Sequence, residues 1–433
     1  MNELTRLIKE DMRPALGVTE PGAIAFAVAS ARAHVQGEVR KVRVALNSGM
    51  YKNAYTCGIP NSSNFGNLYA AALGAAAADA EKGLESLRDI TPEDDAKAAA
   101  MVESGMVEAV LDHIGSEITI DATVQTEQDI CTVHIRDSHT HIVSIEKNGV
   151  QIYADEAYLR QMDNGGGDAS GDGEIPVVHQ YSLHEIMEYV REVSKEEISF
   201  IREAFSMNME LLEEGMASER AVITKLLLGE NGGKVISDNV LKTAQLLCNG
   251  AIEARVLGLS RPAMSITGSG AHGIIATMPL MAQFRAEGSE GDETRLLRAA
   301  ALSYLITMYI KEYSGRLSAF CGCGIAAGTG MACGLAFMKG ADEETMGRGI
   351  QNMASGLTGM ICDGGNHGCT MKGIVAVDAA FRAVYMAMEG VCIDGIHGIN
   401  GRTPEDTMRH MGMIASPGMT GTEKTIVEIM EQK

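Results

Sequence analysis

The chain has no tryptophan, and aromatic residues make up only 4% of it. That excludes a core built on large rings. No apolar run approaches the roughly 18–20 residues of a membrane-spanning helix; the longest candidates, AIAFAVASA and AALGAAAA, are short and Ala-rich. The first residues, MNELTRLIKEDMRPALG, are amphipathic and lack the apolar centre of a signal peptide. No basic stripe interrupts a formal charge of −21, so nucleic acid and anionic membrane are excluded as partners. Tight C-x2-C pairs are also missing, which argues against a zinc module.

What is present is small and adaptable. With 49 Gly, 27 Met and 45% hydrophobic residues, the chain can bury a substantial core of closely packed helices, Met filling irregular gaps. Nine cysteines, an odd number without a secretion signal, point to reduced thiols or metal ligands in the cytoplasm. A length of 433 residues suggests two or three domains.

Residues 4–12 carry Leu4, Leu7, Ile8 and Met12 at helical spacing, and Ala-rich helices are expected at 22–35 and 67–80. VRKVRVAL at 39–46 alternates as a strand. Residues 117–153 read as an antiparallel sheet, with Ile118, Ile120, Ala122 and Val124 on one face and Asn148-Gly149 as a hairpin turn. A flexible acidic loop is expected at 162–174. Ser182–Glu185 and Ser194–Glu197 are spaced as capping boxes. Segments 237–257, 293–312, 324–338, 343–360 and 371–389 read as helices. The fold class expected is α+β: a mixed α/β half with an antiparallel sheet at 1–175, and a mainly helical half at 176–433, the boundary falling within 175–235. No internal repeat is visible.

Six cysteines follow residue 320: Cys321, Cys323, Cys333, Cys362, Cys369 and Cys392. Two lie in FCGCGIAAG, and two flank the Gly-rich loop of CDGGNHGC. Glycines let a backbone wrap closely around inorganic sulfide, and three thiolates would leave one iron of a cluster open. An isolated buried cysteine is more simply a small core residue; their grouping beside two Gly-rich junctions favours metal binding.

Four motifs occur in order: Gly17-Val18-Thr19-Glu20-Pro21, TGSGAHGI at 267–274, CGCGIAAG at 321–328 and CDGGNHGC-x2-K at 362–372. Together they resemble the L-cysteine desulfidase family, related to the α region of the iron–sulfur L-serine dehydratases, over nearly the whole chain. The resemblance implies a [4Fe-4S] cluster held by Cys362, Cys369 and a third cysteine of FCGCG, Cys323 in preference to Cys321. It implies β-elimination from a small amino acid, giving a 2-oxo acid and ammonia. The chain departs from the family at Val18, where GCTEP would place the cysteine thought to be the base, and at Cys57–Ser63, where a GIPGTG-like stretch is usual. Both departures bear on the substrate and leave the cluster motif intact.

With Val18 unable to carry a proton, the expected catalytic groups are Cys57, His272, His367, Lys372 and Glu20. Expected substrate contacts are Thr19, Asn61, Ser62, Ser63, Ser269 and Gly270, the last two in a Gly-rich anion nest for the carboxylate. Ordinary turn and helix-start roles compete for each. His134, His139 and His141 read as exposed strand positions. The helices rich in Ala, Gly and Met suit a homodimer.

Overall fold

The computed structural model describes residues 2–163, 175–288, 291–315 and 317–433. Helix α1 (Glu3–Asp11), capped by the Asn2 side chain on the Leu4 N–H, buries Leu4 and Ile8. Strand β1 (Arg13–Leu16) leads into α2 (Thr19–Arg32), which is buried from Thr19 to Ala31. A helix so rich in Ala has no polar face to present, and its small side chains admit neighbours on every side. Strand β2 (Val39–Leu46) is followed by α3 (Ser48–Ala54) and α4 (Asn67–Ala76). Helices α2 and α4 touch so closely that a Cβ on Gly74 would stand 2.7 Å from the Ala25 carbonyl oxygen.

After α5 (Pro92–Glu103) come β3 (Val107–Leu111), β4 (Thr119–Thr126), β5 (Ile130–Arg136), β6 (Ile142–Lys147) and β7 (Val150–Ala154). They form one sheet with β2, in the order β3-β2-β4-β5-β6-β7. Period-2 alternation turns Ile120, Ala122 and Val124 inward toward α2, opposite Ile135, Val133 and Cys131. Asn148 (φ 52°) and Gly149 (φ 78°) make the hairpin turn. The sheet is mixed, not purely antiparallel, because β3 pairs parallel to β2. VEAVL lacks clean alternation, and its partner lies across three α-helices, so nothing local announces it. His134 and His141 are half-buried and pair with Asp121 and Asp155. His139, expected on an exposed strand face, is buried in the turn between β5 and β6.

Helix α6 (Glu156–Asp163) runs into the acidic segment expected as a loop, which from 164 lies outside the described residues. Ser182 and Glu185 form the expected capping box of α7 (Leu183–Glu192). The second box is incomplete. Ser194 does accept from the Glu197 N–H, but the Glu197 carboxylate turns away to Asn2 and Thr5. The helix α8 therefore starts later (Arg202–Ala217).

The remainder packs as α9 (Val222–Glu230), α10 (Val240–Val256), α11 (Gly270–Ala286), α12 (Glu293–Ser314), α13 (Gly328–Met338), α14 (Glu343–Leu357), α15 (Gly368–Met388), α16 (Pro404–Met413) and α17 (Thr420–Glu431). Strand β8 (Pro262–Ser265) pairs antiparallel with β1, joining the two ends of the α+β fold. Helices α10 to α13 are buried along most of their length and lie at its centre. Among the described residues no helix is long and apolar enough to cross a membrane.

Candidate functional site

The two cysteine segments lie side by side. Cys321 N–H donates to the Met360 carbonyl (3.0 Å) and Cys362 N–H to the Ala319 carbonyl (2.6 Å), so Cys321 and Cys362 start from neighbouring extended backbones. Cys323 opens a π-helical turn, Cys323–Ala327, a rare geometry that recurs at functional sites. Cys369 stands in the first turn of α15. Between Cys362 and Cys369 the loop is drawn against α3. Gly364 (φ 100°) packs on the Lys52 carbonyl, where a Cβ would collide, and Gly365 N–H donates to the Asn53 carbonyl (3.0 Å).

The four thiols are close enough to shift one another. Cys321 is drawn down to about 7, chiefly because Cys323 donates to its sulfur; the Gly324 N–H and the Lys372 charge add to this against burial. Cys323 is pushed up by giving that bond, by burial and by the Cys321, Cys369 and Cys362 charges. Burial raises Cys362, and raises Cys369 to about 11. Burial works against the charge on Lys372, but Asp363, its ion-pair partner, and the thiols outweigh it. Among the described residues no three His, Cys, Asp or Glu side chains gather as a single metal ion requires. A cluster of four irons is larger than one ion and calls for thiols set further apart. The donor set, thiols on Gly-lined loops beside a lysine, suits such a group.

A polar wall faces the thiols. Glu20, 6% exposed in the first turn of α2, accepts from Asn53 Nδ2 (2.9 Å), and Asn53 Oδ1 accepts from Cys362 Sγ (3.8 Å). His139 Nε2 stands 3.9 Å from Glu20 Oε1 and has no hydrogen-bond partner. Burial would raise the Glu20 pKa; the facing His139, with Asn53 and Arg255, reverses this and holds it at about 2. Thr19 Oγ1 donates to the Gly268 carbonyl (3.3 Å). Val18, just before α2, packs beside Gly365, whose Cβ would fall 2.7 Å from it.

Cys57 is fully buried and donates to the Ala54 carbonyl (3.4 Å); burial and then Glu20 push its thiol well up. His272 bonds Thr267 Oγ1 through Nδ1 (2.6 Å), and its other nitrogen packs under Gly322. Burial, with the Lys311 and Arg255 charges, keeps it well below the usual histidine range and hence neutral.

Four other expected site residues are engaged elsewhere. Asn61 donates to the Leu87 and Arg88 carbonyls, and Ser62 and Ser63 both bond Asp95. His367 Nε2 contacts the buried Glu253 (2.6 Å). Ser269 and Gly270 open α11, whose first turn has no side-chain cap. The sequence pattern gave no sign of Asn53, Arg255 and Lys52, and it placed His139 on an exposed strand face, whereas it is buried. Nothing in their local pattern separates them from helix or turn residues; only their burial does.

The α+β fold, with thiols from two Gly-rich loops linked through Asn53 to a buried carboxylate that faces an imidazole, defines the class of a thiol-lined centre walled by helices. The serine dehydratase alpha chain family matches residues 81–428. The chain belongs to that family. Its relatives include UPF0597 proteins of Clostridium botulinum strain Langeland (40% identical), Caldanaerobacter subterraneus (35%) and Clostridioides difficile (31%), with 98–99% of each pair of chains covered.

Proposed function

We propose that this protein is an iron–sulfur lyase that removes a β-substituent from a small amino acid and releases a 2-oxo acid and ammonia. The observation that carries the reading is the meeting of Cys321, Cys323, Cys362 and Cys369 beside the Glu20–Asn53–His139 wall. Cys362, Cys369 and Cys323 would hold a [4Fe-4S] cluster, with Cys321 the alternative third ligand. When bound, such a cluster supplies an open iron that acts as a Lewis acid on the leaving group.

The protein supplies the proton chemistry. Val18 has no proton to exchange, Cys57 is a thiol held by a carbonyl, and His272 spends Nδ1 on Thr267. His139 Nε2 is buried beside Glu20 and has no hydrogen-bond partner. It takes the α-proton, and the Glu20 carboxylate balances the imidazolium. The C–H electron pair becomes the Cα=Cβ bond as the leaving group departs. The resulting aminoacrylate becomes an imine, and water converts it to 2-oxo acid and ammonia. The family favours a hydroxyl leaving group, as in serine; the desulfidase resemblance supports a thiol, as in cysteine. Half-buried reduced thiols suit a cytoplasmic location. The exposed Met371, Val375 and Tyr385 on α15 suit a homodimer.

Anaerobic purification tests this. About four irons and four sulfides per chain are expected, lost in Cys362→Ser, Cys369→Ser and Cys323→Ser and kept in Cys321→Ser. Full iron in Cys362→Ser, or none in the reconstituted wild type, overturns the reading. Assayed on L-serine and L-cysteine, His139→Gln should keep its iron and lose roughly 10²–10⁴-fold in turnover.

A further inference from the structure

We propose that Arg255, lying against the first turn of α11, binds the carboxylate of the substrate and restricts the site to small acids with a free carboxylate. The inference deepens the lyase reading and rests on it for the word substrate.

Arg255 is the next-to-last residue of α10 and is only 5% exposed. Its Nε has no hydrogen-bond partner, and among the described residues the side chain forms no ion pair within 4.0 Å. A guanidinium cannot shed its proton, so a buried one without a partner is costly unless an anion arrives to meet it. Glu20 feels its charge but is already engaged by Asn53 and faced by His139.

A second donor group lies beside it. Helix α11 has 17 residues, and its first turn has no side-chain cap, so the amides of Gly270, Ala271 and His272 and the positive end of the helix remain for a ligand. Gly270 makes the approach possible, since a Cβ there would stand 2.7 Å from Arg255 Nε. Thr19 and His139 border the same turn: Thr19 bonds the Gly268 carbonyl, and a Cβ on Gly268 would lie 3.9 Å from His139 Cε1. The carboxylate would thus be held by a fork and a helix end, next to the acceptor nitrogen.

Calorimetric binding to the purified full chain, with and without reconstituted iron, tests the proposal independently of turnover. The probes are L-alanine, which has no leaving group, and L-alaninamide, which has no carboxylate. Wild type should bind L-alanine at least tenfold more tightly than the amide. Arg255→Gln should weaken L-alanine binding by roughly ten- to a hundredfold with unchanged iron content, and Arg255→Lys should recover part of it. If Arg255→Gln does not fold, Gly270→Ala, which displaces the guanidinium, should show the same selective loss. Equal binding of the two probes, no binding of L-alanine by wild type, or wild-type affinity in the soluble variant would overturn it. A wild type that takes up no iron on reconstitution yet still prefers L-alanine would sink the lyase reading and leave this one standing.

Discussion

Glu20 shows how one side chain is set by competing terms. Burial alone would neutralise it, but His139, Asn53 and Arg255 hold its pKa at about 2 against an ordinary 4.5. A carboxylate with a depressed folded pKa contributes stability that is complete above the unfolded value and is lost as pH falls through the folded one. The loss should run from about pH 4.5 toward pH 2, with an upper bound of about 3 kcal/mol. Denaturant unfolding of Glu20→Gln across pH 3–7 should show a flatter acid limb than wild type; parallel curves would mean the carboxylate is not held ionised by its neighbours. His272 acts in the same direction for a different reason. Its folded pKa lies below the ordinary 6.5, so its contribution is complete above that value and declines on acidification.

At the scale of elements, α3 and α17 are joined by a buried ion pair. Lys52 Nζ reaches Glu423 (2.7 Å) and the Ser318 carbonyl (3.0 Å), and the Lys52 side chain is fully covered. The neighbouring Tyr55 hydroxyl donates to the Met430 carbonyl (2.9 Å). The same short helix α3 holds the cysteine loop through Lys52 and Asn53. Removing one partner strands a buried charge, so Lys52→Met should cost roughly 3–5 kcal/mol, while Lys52→Met with Glu423→Leu should recover most of it. Urea unfolding of the three proteins checks this. Equal stability of the single and double variants would show that the stranded charge is not the source of the loss.

Across the whole molecule, the site draws on α2, α3, the turn after β5, the end of α10, the start of α11 and both cysteine loops. Asn53 and Cys362 meet although 309 positions separate them. A group bound to such a site stabilises the assembled fold alone, because the unfolded chain cannot present it. Reconstitution with iron and sulfide should therefore raise the unfolding temperature, chelation should lower it, and Cys362→Ser should lose the shift. A thermal scan showing no difference between iron-loaded and iron-free wild type would separate cluster binding from folding.

Much of the fold could be read from short stretches of chain. Strand β2 falls at the expected 39–46, the hairpin turns at Asn148-Gly149, and α10, α12, α13, α14 and α15 lie within a few residues of their expected limits. The spacing of cysteines and glycines marked two loops that the fold brings together. These signals are local: alternation, helical period, caps and turns act over a few residues. The parallel strand β3, the burial of His139, the unpaired Arg255 and the diversion of Ser62 and Ser63 to Asp95 were settled only by tertiary structure. Each depends on which distant groups desolvate a side chain or leave it without a partner, and a side chain carries no local trace of that.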